Sequence, residues 1–96
     1  MATYHVYILP NWNRTTLYTG ATSNLAFRTD RHRQAVGGAF TTKYKVNKLI
    51  YYEEFDNILE AIAREKQIKS GSRKRKEDLI NGFNPGWLDL FDDIKE

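Results

Sequence analysis

The 96-residue chain contains no cysteine. Disulfide bridges, a thiol nucleophile and thiolate metal sites are therefore excluded, and the chemistry left for a site is that of carboxylate, histidine and tyrosine side chains. Any metal ion is then expected to be a hard ion held by oxygen. No apolar run approaches the length of about 20 residues that crosses a bilayer. No charged stretch precedes the apolar part of the opening MATYHVYIL, so a signal peptide is not predicted and we expect a cytoplasmic protein without a membrane partner.

Internal repeats, low-complexity tracts and linkers are also lacking. With 41% hydrophobic and 28% charged residues, the composition is typical of one ordinary globular domain. Residues 86–96 hold four acidic residues against Lys95, so they carry −3, and the net charge of +3 leaves +6 on residues 1–85. A basic body favours polyanions, because phosphate contacts release counterions. We predict a domain over residues 1–85 and an acidic, aromatic tail over 86–96 that packs on the domain or trails from it.

Strand and helix signals alternate along the chain in the order β-β-α-β-α-α. Runs rich in β-branched and aromatic residues predict strands over 4–9, 17–19 and 48–55, the first two forming a hairpin. Capping residues predict helices that begin after Ser23, Asn57 and Ser72 and run to about residues 36, 69 and 81. This order predicts an α/β (α+β) fold, in which helices flank a small three-stranded, mainly antiparallel sheet.

Ionisable side chains fall on the predicted buried faces of two helices. Glu65 lies in the middle of an apolar stripe, and Arg28 and His32, one turn apart, share the inward face of the first helix. Buried charges are costly without partners, and a small core cannot hide three of them cheaply. One reading is a structural ion pair or a stripe that tilts toward solvent. The other is that the three groups meet at one functional site.

The predicted hairpin adds two phenols and a glycine. Tyr7 and Tyr18 are placed near the strand ends, where aromatic residues commonly pack across strands, although covered hydroxyls need partners. Gly20 directly follows the predicted second strand and is either a turn residue or a point of close backbone approach.

Taken together, these residues resemble the GIY-YIG nuclease domain. The matching segments are HVY at 5–7, YTG at 18–20, LAFRTDRH with Arg28 and His32, EAIAREKQIK with Glu65, and FNPGW with Asn84. Their order and spacing cover nearly the whole chain and are most similar to the small stand-alone bacterial members of the superfamily, of the UPF0213 type. Two positions depart from the pattern, since His5 replaces the glycine of the first motif and Thr19 an aliphatic residue of the second.

The resemblance implies a metal-dependent endonuclease that hydrolyses DNA phosphodiester bonds, in DNA repair or recombination. By this resemblance Glu65 would hold one Mg²⁺ or Mn²⁺ ion, and Arg28 would neutralise the non-bridging phosphate oxygens. Tyr7 would accept a proton from the attacking water, and Tyr18 would bond to the phosphate or the water. Because phenols ionise only well above neutral pH, Tyr7 would need a relay, for which His32 is the expected group. Asn84 would orient a partner near the site.

Nucleic-acid binding is predicted for two basic stretches. Arg73, Lys74, Arg75 and Lys76 follow the N-cap Ser72, and Lys43, Tyr44 and Lys45 could track a backbone or stack a base. Gly20 is assigned to the same binding set. For the first stretch, a solvated charge run is an equally good interpretation. The expected partner is duplex or structured DNA, bound by a monomer or a weak dimer.

Two other functions fit the sequence. A non-catalytic nucleic-acid-binding module would use the basic stretches and keep the inward cluster as a structural network. A protein-interaction domain would use the acidic aromatic residues 87–91. The enzyme is favoured because a module that only binds has no reason to keep a metal ligand on an apolar stripe.

Overall fold

The computed structural model describes residues 3–10, 16–25 and 48–90. These residues form three strands and two helices, namely β1 (Tyr4–Pro10), β2 (Leu17–Thr22), β3 (Tyr51–Phe55), α1 (Ile58–Ser70) and α2 (Arg73–Phe83). The predicted α+β class and the antiparallel sheet are confirmed. The helix predicted over 23–36 lies almost entirely outside the described residues.

The central strand of the sheet is β1, which pairs antiparallel with β2 on one side and with β3 on the other. Its sequence explains this position, because its middle residues are apolar or aromatic and can be covered on both faces. Tyr7 lies opposite Gly20 of β2 and opposite Tyr52 of β3. β2 and β3 are the two edge strands.

The two faces of the sheet are buried in two separate hydrophobic clusters. Val6 and Ile8 pack with Ala61 and Ile68 of α1 and with Ile80 of α2. Alternate residues of a strand point to opposite faces, so Tyr7 and Leu9 lie on the other side, where they pack with Leu25 and Leu49. The sheet is therefore covered on both faces.

Local capping sets the helix starts, as the sequence predicted. The Oδ1 atom of Asn57 accepts hydrogen bonds from the backbone N–H groups of Leu59 at 2.7 Å and Glu60 at 3.3 Å. The Oγ atom of Ser72 accepts one from the N–H of Arg75 at 3.2 Å. Such bonds satisfy donors that have no partner within the helix. α2 ends at Phe83 rather than at the predicted residue 81.

Three strand boundaries differ from the prediction, the first being that β1 continues by one residue to Pro10. β2 continues to Thr22, so Gly20 lies within the strand instead of following it, and Tyr7 is a mid-strand residue. β3 begins at Tyr51 rather than at residue 48. The N–H of Ile50 still donates to the carbonyl of Ile8 at 3.2 Å, but Leu49 bonds outside the sheet. The Leu49 carbonyl accepts from the N–H of Leu90 at 2.7 Å, and its own N–H donates to Oδ1 of Asp89 at 3.1 Å.

The segment after α2 returns to the body of the protein. A turn closes where the N–H of Trp87 donates to the carbonyl of Asn84 at 2.9 Å, with Trp87 at a φ of 52°. The described part of the predicted tail, residues 86–90, thus contacts the segment before β3 through the two Leu49 bonds. The division of the chain at residue 85 stays a prediction.

Within the described ranges, neither helix combines the length and the apolar character that a bilayer crossing requires.

Candidate active site

Tyr7, Tyr18, Gly20 and Tyr52 lie on the same face of the sheet, here called the tyrosine face. Tyr7 is only 5% exposed, and Tyr18 and Tyr52 are half-buried against the same cluster. The antiparallel register produces this grouping, since Tyr7 is opposite Gly20 and Tyr18 is two residues away on β2. The structure therefore brings together the two motif tyrosines that the sequence singled out.

Gly20 is in direct contact with the Tyr7 ring. A β-carbon built on Gly20 would lie 2.5 Å from Oη and 2.7 Å from Cζ of Tyr7. The Tyr7 ring thus crosses from β1 over β2, and its hydroxyl lies above Gly20 at the edge of the sheet. Only a residue without a side chain leaves room for this position. Of the two readings of Gly20, close approach is correct and a turn residue is wrong.

Glu65 lies on α1, on the opposite face of the sheet from the tyrosines. It follows the buried Ala61 by one turn and precedes the buried Ile68 by three residues, and its side chain is 20% exposed. Ile58 is 43% exposed, so the buried stripe runs nearer to Arg64 than predicted and Glu65 stands at its flank. The Oε2 atom of Glu65 lies 3.3 Å from Nζ of Lys69, and the Lys69 side chain is 55% exposed.

Asn84 is buried, and its side chain bonds only to backbone groups among the described contacts. Its Nδ2 group donates to the carbonyls of Ile50 at 3.1 Å and Leu88 at 2.7 Å. Its Oδ1 atom accepts from the N–H of Leu88 at 3.1 Å. These bonds fasten the chain after α2 to the chain before β3, which is a structural task. The predicted role of orienting a partner near the site is not tested by them.

Five predicted site residues lie outside the described ranges, namely Arg28, His32, Lys43, Tyr44 and Lys45. Their meeting with Glu65 and the tyrosines at one site stays a prediction.

The basic stretch at the start of α2 divides into two pairs of residues. Arg73 and Lys74 point along the helix to acids one turn later, with Nε of Arg73 at 2.8 Å from Glu77 and Nζ of Lys74 at 3.5 Å from Asp78. Within the described chain, Arg75 forms no ion pair, and the Lys76 ammonium donates only to the backbone carbonyls of Lys69 and Gly71. No carboxylate of the described residues thus neutralises the positive charge of Arg75 or Lys76.

Sequence reasoning missed an ionic network on the helix-covered face. Nε and Nη2 of Arg64 donate to the two oxygens of Glu53, each at 3.0 Å, and the Tyr51 hydroxyl also donates to Glu53.

Burial and the bond to Glu53 raise the pKa of Tyr51 to about 12. Burial alone would raise the pKa of Glu53, but the bonds from Arg64 and Tyr51 outweigh it and lower that pKa. The bond to Glu53 in turn raises the pKa of Arg64. The signal was the alternation in YYEEF, which places Glu53 on the same face as Tyr51.

His5, which departs from the family pattern, also lies on the tyrosine face. Its Nε2 atom is 3.4 Å from Oε1 of Glu54, and its ring meets the edge of the Tyr52 ring with centroids 5.9 Å apart. The Nδ1 atom is enclosed, and none of the residues in the described ranges forms a hydrogen bond with it. The larger side chain is accommodated without displacing Tyr7 from Gly20.

Comparison with known proteins assigns this arrangement to a family. The profile of the GIY-YIG catalytic domain matches residues 3–78. Because that match spans most of the chain, the protein belongs to the GIY-YIG family, a superfamily of nucleases.

Within the family, the similar proteins carry the UPF0213 designation. The chain is 38% identical to a UPF0213 protein of Natronomonas pharaonis over 79 residues, which is 82% of this chain and 92% of that protein. It is 40% identical to one of Clostridium perfringens over 77 residues, 80% of this chain and 82% of that one. A solution NMR structure of the UPF0213 protein BH0048 from Bacillus halodurans superposes with a TM-score of 0.59 at 27% identity, covering 88% of this chain and 89% of that one. The predicted resemblance, including its UPF0213 type, is confirmed.

Proposed function

We propose that the protein is a metal-dependent endonuclease that hydrolyses DNA phosphodiester bonds in the cytoplasm, in repair or recombination. The observation that carries the proposal is the tyrosine face, where the Tyr7 ring is fixed over Gly20 beside Tyr18 within a GIY-YIG domain. This packing fixes the Tyr7 hydroxyl at the edge of the sheet, and the fixed position supports a role for the hydroxyl itself.

Phosphodiester hydrolysis requires a positioned water, a proton acceptor and stabilisation of the charge on the pentavalent phosphorus. In this proposal the Tyr7 hydroxyl accepts a proton from the attacking water as it passes its own proton to His32, and Tyr18, on the same face of the edge strand β2, binds the phosphate or the water. Arg28 neutralises the phosphate oxygens while the bond from phosphorus to the 3′ oxygen breaks, and the departing 3′ oxygen takes up a proton from solvent. Because a general base acts only within hydrogen-bond reach, the fixed position of the Tyr7 hydroxyl reduces the cost of reaching the reactive geometry.

Glu65 fits the role of a ligand for Mg²⁺ or Mn²⁺. It is a partly exposed carboxylate whose described partner is an exposed lysine, so it can exchange that partner at little cost. Mg²⁺ is commonly held by one or two protein carboxylates and keeps several waters, so a single glutamate is sufficient. Within the described ranges no group of three or more potential ligands occurs. When bound, the ion would supply polarisation of the phosphate.

The position of α1 favours a shared site despite the two sheet faces. α1 contacts β2 as well as β1, and β2 is the edge strand over which the Tyr7 hydroxyl lies. A carboxylate on the flank of α1 can therefore approach the tyrosine face around the β2 edge. This edge is where we propose that the scissile phosphate binds.

A nicking assay on plasmid and branched DNA, with Mg²⁺, Mn²⁺ or EDTA, tests the proposal. We expect cleavage with either ion and none with EDTA. Tyr7→Phe should lower the rate by about 100-fold or more, the usual effect of removing a general base. Tyr52→Phe is the matched control, because it removes a phenol from the same face on the side away from β2, and it should change the rate less than threefold. Equal losses in the two variants would contradict the role of Tyr7.

The second candidate is a non-catalytic nucleic-acid-binding module. It is supported by the ion pair of Glu65 with Lys69 and by the structural bonding of Asn84, since both residues have partners without any substrate. Binding of DNA in EDTA together with no cleavage under any metal condition would favour this candidate over the enzyme.

A further inference from the structure

A cavity between α1 and α2 lies on the helix-covered side of the sheet, apart from the tyrosine face. Its volume is about 290 Å³, and α1 contributes Arg64, Gln67 and Ile68 to its lining. From α2 come Arg75, Lys76 and Leu79. The cavity therefore combines an apolar floor with polar and cationic walls, the composition typical of small-ligand sites.

The charges of this cavity are not balanced. Asp78 also lines it, but that carboxylate is paired with Lys74, and Arg64 is paired with Glu53. Arg75 and Lys76 remain, and in the described chain neither meets a carboxylate. Two uncompensated cations beside one opening favour an anion, and the guanidinium of Arg75 is suited to bidentate binding of a phosphate.

The apolar part of the lining indicates more than a phosphate. Ile68 is 3% exposed and Leu79 half-buried, so the floor is formed by the helix packing itself. Arg64 is held in one plane by both oxygens of Glu53 and by Oε1 of Gln67, 2.8 Å from Nη1. A fixed guanidinium plane is a surface on which a nucleobase can stack.

We propose that the cavity between α1 and α2 binds a single phosphate-bearing nucleotide, with the phosphate at Arg75 and Lys76 and the base over Ile68, Leu79 and Arg64. The volume is near the lower end of the range of about 300–1,000 Å³ for ligand pockets, which suits one nucleotide. The nucleotide is either free or the end of a nucleic-acid strand. That second source rests on the proposed function, whereas binding of a free nucleotide does not.

Binding is measured in EDTA, so that cleavage plays no part, by amide chemical shifts and calorimetry with inorganic phosphate, deoxyribose 5-phosphate and thymidine 5′-monophosphate. We expect the nucleotide to bind about tenfold more tightly than inorganic phosphate because of its apolar contact, and to shift the amides of Gln67, Gly71 and Arg75. A single-stranded oligonucleotide with a 5′-phosphate, compared with one lacking it, separates a strand end from a free nucleotide. Shifts confined to the amides of the tyrosine face would overturn the proposal.

A matched pair of variants tests the phosphate contact. Arg75→Ala and Lys66→Ala each remove one exposed cation from the helix pair, but only Arg75 lines the cavity. We expect Arg75→Ala to weaken nucleotide binding by about tenfold or more, the effect of losing a charge-assisted hydrogen bond, and Lys66→Ala by less than twofold. Equal effects would show that only the general positive field attracts the nucleotide and would overturn the site. Intact nucleotide binding in a protein without nuclease activity would remove the proposed endonuclease and leave this site standing.

Discussion

At the scale of single residues, the contact between Gly20 and Tyr7 is the most sensitive point of the site. Gly20→Ala places a methyl group 2.5 Å from the Tyr7 hydroxyl, so the ring must move. We expect a loss of about 1–3 kcal/mol of stability, the usual cost of overpacking, and a loss of cleavage at least as large as that of Tyr7→Phe. Thermal melts and the nicking assay measure the two effects.

Gly82→Ala is the control for this substitution. A β-carbon at Gly82 meets no atom within 4 Å, and the residue lies inside α2. Alanine should stabilise the helix there by about 0.5–1 kcal/mol and leave cleavage unchanged. If Gly20→Ala also kept full activity, the exact position of the Tyr7 ring would be irrelevant to function.

A second prediction at this scale concerns Glu65. Glu65→Gln keeps the shape of the side chain but removes the charge that a metal ion requires, so cleavage with Mn²⁺ should fall by about 100-fold or more. Stability in EDTA should change by less than about 1 kcal/mol, because the only described ion pair of Glu65 is with an exposed lysine. Glu77→Gln, which removes the exposed pair with Arg73 on α2, should leave cleavage intact. Undiminished cleavage by Glu65→Gln would reject Glu65 as the metal ligand.

At the scale of elements, β3 and α1 are joined by the pair of Glu53 and Arg64. Because the folded state lowers the pKa of Glu53, this pair stabilises the fold fully above the unfolded carboxyl pKa of about 4.3. The stabilisation is lost as the pH falls through the lower, folded value. We expect Glu53→Gln to lose about 2 kcal/mol near neutral pH and to differ less from the wild type in strong acid. Urea unfolding at a series of pH values measures the stability of both proteins. A difference between wild type and variant that stays constant at every pH would contradict the prediction.

Some elements were predictable from sequence because their signals are local. The N-caps Asn57 and Ser72 are read from neighbouring residues, and both helices begin after them. The end of β2 and the start of β3 were misplaced, because strand limits depend on distant partners. One such partner is Leu90, whose N–H donates a hydrogen bond to the carbonyl of Leu49. For the site, Tyr7 and Tyr18 were found from motif spacing. The ion pair of Arg64 was not predicted, because its partner Glu53 lies on another element.

At the scale of the whole molecule, Asn84 connects the last described segment to the sheet. Asn84→Ala leaves the buried carbonyl of Ile50 and both backbone groups of Leu88 without these partners, which should cost about 2–4 kcal/mol. If the role of Asn84 is structural, cleavage well below the melting temperature should fall by less than threefold. A large loss of cleavage in a variant that remains folded would instead support the predicted orienting role. Circular dichroism melts beside the nicking assay distinguish the two outcomes.

The sheet order also determines how the protein must fold. β1 pairs with β2 through a short connection, but it meets β3 only after a long stretch of chain, since Tyr4 lies opposite Phe55. Closing a short hairpin takes microseconds, whereas distant pairing must first overcome the entropy of a long loop. The β1–β2 hairpin, which already carries Tyr7 over Gly20, is therefore expected to form early, leaving the other side of β1 as an unpaired edge until β3 docks. That edge is the point at which a slow-folding or destabilised chain would first associate with another copy of itself.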